Sequence, residues 1–571
     1  MYKSQLERDL KSAVQSLGFK KTDIVVYISE NVLFGDYTTN ISLQLSKLES
    51  KKNYQNPREI ANDIIATLNH PSYLERIEVA GPGFINFYLK DSSLLKGLDA
   101  PKDERETKDK TAKKEEEEIP ERVLVEYASP NIYKPLHIGH LRNIITGESI
   151  SRILQYAGKE VFRVTYVSDI GPLVAKTIWG IRQVPEKFIE IDKNGDLNQK
   201  AMFLGDCYVA GNTAFEQDPK AKEEINEINI KIYQHDQDLN LLWQKTKSWS
   251  EGYLLSIYTR FHSEFDAHLW ESDMGTRGME IVQEHLNSIF YKDDGAIIFP
   301  GEKYGLHNRV FITSKGTPTY EAKELAVTER EQELFPYDQA IHVVSNEQTE
   351  YFKVVTKAIE LIDPKITGKK IHQPYGFVGL STGKMSSRLG NVILAEDLID
   401  QVKTKISESY KDANSERSVE KIAIAAVKFA YLKYSLNSDI SFDIDQSVAL
   451  HGDSGPYILY TFARINSILE KAKALKVIEK LENIELEPEE REVLRQLDYF
   501  EPVVLRAASE FSPNDLAAYL LNLAKSFNQF YEKHPILGSK KQDLRLKIAI
   551  STAEKLKLGC YLLGFEVLEK M

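Results

Sequence analysis

The chain has 571 residues, 42% hydrophobic and 28% charged, a balance that suits several globular domains and excludes a low-complexity protein. Its net charge of −12 argues against indiscriminate nucleic-acid binding, and no apolar run is long enough to span a bilayer. Two cysteines, Cys207 and Cys560, give no disulfide framework, and MYKSQLERDL lacks an apolar signal core, so a reducing cytoplasm is the expected compartment.

Residues 1–95 read as a small α+β module. Leu6, Leu10, Val14 and Leu17 mark a helix, and 25–28 reads as a strand. Ile41, Leu43, Leu45 and the segment 60–68 suggest more helix. Residues 77–79 and 84–89 read as strands around the turn Gly81-Pro82-Gly83. Residues 96–119 are almost wholly charged, without apolar periodicity, which predicts a solvated linker.

From 120 a second domain begins. An apolar strand, 123–127, leads into a loop with Ser129, Pro130, Asn131 and Pro135, which ends in His137-Ile138-Gly139-His140. Apolar residues at Leu141, Ile144, Ile145, Ile150, Ile153 and Leu154 predict a helix to about Tyr156, stopped by Gly158. A strand at 161–167 completes a βαβ unit. A helix N-terminus offers free N–H groups and partial positive charge, which suit phosphate. Both imidazoles can donate to one such ligand, and Gly139 leaves the backbone open to a flat ring or a phosphate. Taken alone, such a pair is more often two surface histidines on an ordinary capped turn. A zinc pair lacks nearby cysteines.

From about 181 to 299 the pattern turns helical and polar, an insertion between two halves of a nucleotide fold. The second half opens near Arg309–Ile312. Tyr320 and Glu324, four apart, share a helix face. A buried-type strand, 340–344, precedes Ser345-Asn346-Glu347-Gln348, at the end of a strand that carries ligands in doubly wound folds. Ser381 to Val392 forms a Gly-bracketed loop with Lys384, Ser386, Ser387 and Arg388, suited to closing cations and hydroxyls over a polyphosphate. From 416 to 571 the pattern is helical throughout, and 538–559 holds six basic and two acidic residues, a local positive face.

His-Ile-Gly-His followed by Lys-Met-Ser-Ser-Arg resembles the signature pair of class I aminoacyl-tRNA synthetases. Ser129-Pro130-Asn131 with Lys134, Asp169-Ile170-Gly171, Phe34-Gly35-Asp36-Tyr37, the segments 81–86 and 453–457, and a near match to Asp-Ala-Leu-Arg at 543–546 resemble the arginyl enzymes. The resemblance implies an α/β fold. A Rossmann-like catalytic core, 120–415, lies between the N-terminal domain, set against the tRNA elbow, and an all-helical anticodon-binding domain, 416–571. It implies arginine–tRNA ligation with ATP and Mg²⁺, no structural zinc, tRNA for arginine as partner, no membrane and a monomer. His137 and His140 would bind the phosphates, with Gly139 under the adenine and Lys384, Ser386, Ser387 and Arg388 over the pyrophosphate. Asn131, Tyr320, Glu324 and Gln348 would hold arginine, with Asp169 orienting it. The family has Asp where this chain has Glu324. Ser387 stands where the general class I loop has a second Lys, which makes Lys134 the expected cation at the α-phosphate. Phe84 and Asn86 match positions that meet a D-loop base, although strand aromatics more often pack inward.

Overall fold

The computed structural model describes the chain apart from Met1, 20–22, 30–31, 49–53, Asn69, 99–118, His235, 382–392, 411–414 and 473–483. At its centre is a five-stranded sheet in the order Lys370–Tyr375, Gln339–Ser345, Arg122–Glu126, Glu160–Val167, Ala267–Trp270, with every pairing parallel. Helices cover both faces, so the inner strands are continuous apolar runs: Val123, Leu124, Val125, Ile341 and Val343 are buried. The winding direction reverses between Arg122–Glu126 and Gln339–Ser345. Ligands in such sheets bind in the crevice beyond the carboxyl ends of the strands at that switch point.

The helix Ile138–Tyr156 follows the central strand and is buried on almost every side. Gly147 permits this approach, because a Cβ there would lie 2.1 Å from the Tyr127 ring. Arg142 is buried in the same helix, and carbonyls offset the cost of its charge: its guanidinium donates to Gly376 O at 2.7 Å, Phe377 O at 3.0 Å and Leu436 O at 2.9 Å. The helix stops as its sequence predicts. Gly158 has φ +89°, and Lys159 N donates back to Leu154 O at 3.1 Å.

The helical insertion is displaced from the predicted 181–299. It starts earlier, with Pro172–Gln183, and ends earlier, with Gln237–Arg260. Ala267–Trp270 then rejoins the central sheet as its edge strand, and Tyr291–Asp293, Ala296–Phe299 and Arg309–Ile312 form a separate antiparallel sheet. These strands are three or four residues long, too short to show a period of two against the helical pattern around them.

In the N-terminal module four antiparallel strands pack against helices. The strand expected over 25–28 shrinks to Tyr27–Ile28, and the helix Asp91–Lys96 runs past the predicted boundary at 95. Most of the expected linker, 99–118, lies outside the described residues. The module docks on the C-terminal helix Pro488–Glu510 through Phe34-Gly35-Asp36-Tyr37. Asp36, buried, meets Arg491 Nη2 at 3.0 Å and Arg495 Nε at 2.7 Å, and Tyr37 Oη donates to Asp498 at 2.6 Å. The positive face expected over 538–559 is partly consumed internally: Arg545 is buried against Glu490 at 2.8 Å, and Lys541 pairs with Glu487 at 2.9 Å. Among the described residues no helix is long and apolar enough to cross a membrane.

Candidate active site

His137 is the N-cap of the buried helix. Its Nδ1 accepts from Gly139 N at 3.1 Å, and His140 Nδ1 accepts from His137 N at 3.0 Å, a reciprocal capping box closed by two imidazoles tilted 32° to one another, 3.8 Å between centroids. With both Nδ1 atoms accepting, each Nε2 carries the proton and is a donor. Burial, helped by Lys134, pushes His137 down to about 4, and burial followed by its histidine and lysine neighbours pushes His140 well down. Both rings are therefore neutral donors at physiological pH. Gly139 also has a local role, since a Cβ there would stand 2.9 Å from His137 Cε1, inside the cap.

Ile138 N donates to Ile393 O at 3.2 Å, and His137 bridges Leu394, so the chain resumes after 382–392 beside the histidine pair. Lys384, Ser386, Ser387 and Arg388 themselves lie outside the described residues. Lys134 is half-buried, which lowers its pKa, and has no hydrogen bond or ion pair among the described residues.

The crevice at the switch point is acidic. Glu126 ends the central strand, directly across the register from His342, whose Nδ1 lies 3.1 Å from Glu126 Oε2 without the alignment of a hydrogen bond. Glu324 and Glu331, from the helix Tyr320–Leu334, are buried beside them. Lys370 Nζ meets Glu331 Oε2 at 3.1 Å. The carboxylate of Glu324 is 6% exposed and has no hydrogen-bond or ion-pair partner among the described residues. Burial, reinforced by Glu126, holds its pKa well above the usual range. Burial also pushes Glu126 upward, but His342 and Lys370 outweigh it and leave Glu126 below that range. One pocket thus holds an ionised carboxylate and a second that needs a cation to ionise. Ligand atoms of Glu126, Glu331 and His342 approach within 4.8 Å of one another. The ammonium of Lys370 already occupies the edge of that cluster, which disfavours a second compact cation there.

Other predicted residues fall around this crevice with different fates. Tyr320 stands at the start of the Glu324 helix, its ring 51% exposed. Gln348 is exposed in the short turn Asn346–Gln348. Asn131 bridges Ser168 in backbone pairing at the same end of the sheet. Asp169 does not face the crevice with a free carboxylate. It accepts from Ser272 N at 2.9 Å and Ser272 Oγ at 2.7 Å and pairs with Lys247 Nζ at 2.5 Å. Phe84 is 38% exposed, which removes the core reading, whereas Asn86 is buried and its Oδ1 accepts from Thr38 Oγ1 at 2.7 Å. Sequence reasoning missed Glu126, Glu331, His342 and Lys370. Only Glu126 left a signal, as the one charge ending an apolar strand. It also missed a cleft of about 500 Å³ in the C-terminal domain, where Arg464 stacks near Tyr460 at 4.7 Å and Tyr531 at 5.3 Å.

A parallel sheet that reverses beside an acidic crevice, with a histidine pair capping the helix after its first strand, is the catalytic core of a class I aminoacyl-tRNA synthetase. Family models match on this point: tRNA synthetases class I (R), catalytic domain, over 105–444; DALR anticodon binding domain, over 458–571; and arginyl tRNA synthetase N terminal domain, over 3–89. The chain belongs to the arginyl-tRNA synthetase family. It is 31% identical over 566 residues to an arginine–tRNA ligase of Fusobacterium nucleatum, covering 97% of this chain and 96% of the relative. It is 29% identical over 585 residues to one of Clostridium perfringens, covering all of both. The arginyl-tRNA synthetase structure of Thermus thermophilus superposes with a TM-score of 0.83 over the whole of both chains at 25% identity.

Proposed function

We infer that this chain performs its family's reaction, arginine–tRNA ligation, and that the acidic crevice is its arginine pocket. The observation that carries this is Glu324, a buried carboxylate without a partner, set among further carboxylates. A guanidinium supplies the charge and the planar donors that such a carboxylate lacks. Tyr320, Gln348 and Asn131 rim the same end of the sheet and complete the pocket. An arginine oriented there directs its own carboxylate to the α-phosphorus of ATP. The O–P bond forms, pyrophosphate leaves, and arginyl-adenylate remains. A ribose hydroxyl of the tRNA then attacks the carbonyl, and AMP leaves.

His137 and His140 donate to the ATP phosphates from Nε2, and Lys134 places a cation at the α-phosphate. Lys384, Ser386, Ser387 and Arg388 close over the pyrophosphate. Mg²⁺ bound to ATP would neutralise part of the phosphate charge that these residues face. Catalysis is by positioning and fixed charge. Phe84 meets the tRNA elbow, and the Tyr460–Arg464–Tyr531 cleft stacks unpaired anticodon bases. The enzyme acts as a cytoplasmic monomer. ATP–pyrophosphate exchange with each amino acid, with and without tRNA, tests this reading. Exchange should depend on arginine alone, and lysine or citrulline supporting comparable exchange would refute the pocket.

A further inference from the structure

Lys134 has an unusual setting. The residue before it, Tyr133, has φ +70°, a left-handed backbone that bulky aromatic residues rarely adopt. Such a conformation persists only where its surroundings enforce it. Here they do. The Tyr133 ring is buried, its hydroxyl donates to Trp243 O at 3.2 Å, and Thr246 Oγ1 lies 3.3 Å from the same hydroxyl. The residues after Lys134 are gripped as well. Pro135 packs on Gly205, where a Cβ would lie 2.8 Å from Pro135 Cδ, and Leu136 N donates to Tyr253 Oη at 3.3 Å. Tyr133 and Leu136 are thus held by the helix Gln237–Arg260, and Pro135 by Leu197–Gln217. Lys134, between them, is left with no partner among the described residues. Both helices belong to the insertion, whose sequence gave no indication of a role.

We propose that Tyr133 is a positioning residue: its hydroxyl, anchored on the helix Gln237–Arg260, holds the left-handed turn that presents the Lys134 ammonium to the ATP phosphates. The insertion is then a brace for the reacting loop. This rests on the reading of Lys134 as the cation at the α-phosphate.

Single-turnover arginyl-adenylate formation by the full-length enzyme, with tRNA present, tests both layers. Tyr133→Phe keeps the ring and removes the anchor. It should slow adenylate formation about tenfold, the scale of one lost hydrogen bond, while KM for ATP and for arginine each change less than about twofold. In a Lys134→Ala background, itself slowed by roughly two orders of magnitude, adding Tyr133→Phe should cost less than about twofold, because the group it positions is gone. Thr246→Val probes the same anchor from the helix side and should be non-additive with Tyr133→Phe. If Lys134→Ala runs near the wild-type rate, the lysine reading and the proposal fall together. If Lys134→Ala is slow but Tyr133→Phe is harmless, or costs the same tenfold in both backgrounds, only the positioning role falls.

Discussion

Replacing Glu324 with Gln keeps the shape of the side chain and removes its charge. In the free enzyme that charge is a liability: the carboxyl is buried, unpartnered, and close enough to Glu126 to be held well above its usual pKa. With arginine bound, the same carboxylate becomes half of a buried ion pair. Breaking such a pair by neutralising one partner costs about 3–5 kcal/mol. Glu126 remains to face the guanidinium, so the lower figure applies, and about 3 kcal/mol corresponds to a loss of roughly two orders of magnitude in kcat/KM for arginine. KM for ATP should move less than about twofold, since the histidine pair and the phosphate loop are untouched. The pH dependence follows from the same displacement. The raised pKa means that the folded free enzyme holds this proton to higher pH than the unfolded chain does. Its contribution to stability is therefore present at low pH and lost as pH rises through the folded pKa. Arginine needs the ionised form, so its affinity rises over that same window, with a proton released on binding. Glu324→Gln should flatten both trends and raise the thermal midpoint on the alkaline side. Arginine titrations of pyrophosphate exchange from acid to alkaline pH, beside thermal melts of both proteins, measure all of this. Equal losses for arginine and ATP, or a wild-type arginine KM independent of pH, would refute the reasoning.

Phe84 and Asn86 should separate. Phe84→Ala should raise KM for tRNA at unchanged thermal stability, whereas Asn86→Ala should lower stability by about 1 kcal/mol through the lost Thr38 bond, as melts and aminoacylation kinetics will distinguish. Asp36→Ala leaves Arg491 and Arg495 without their shared carboxylate. It should loosen the N-terminal module by about 3–5 kcal/mol, seen as faster proteolysis of that module while exchange with ATP and arginine persists. His137, held at about 4 when folded and near 6.5 when unfolded, should cost stability progressively as pH falls through that interval; His137→Asn, which cannot take up the proton, should weaken that slope in acid melts.

The sequence by itself determined the order of the chain's parts. Long apolar periods placed the helix Ile138–Tyr156 and the buried strands beside it, and the histidine pair lies where a helix start requires it, because those are local properties of a few consecutive residues. Glu324 was singled out only through the family resemblance, four residues after Tyr320 on one helix face. Only the tertiary structure decided what these groups meet. The edge strand Ala267–Trp270 and the carboxylates flanking Glu324 depend on pairings across long separations, for which a single chain carries no local mark. Asp169, which the resemblance has orienting arginine, is tied to Lys247 and Ser272 in the fold, partners that its own segment does not announce. The left-handed Tyr133 was invisible as well, since nothing in its own residue type favours φ +70° and only the helix Gln237–Arg260 packed against it enforces that turn.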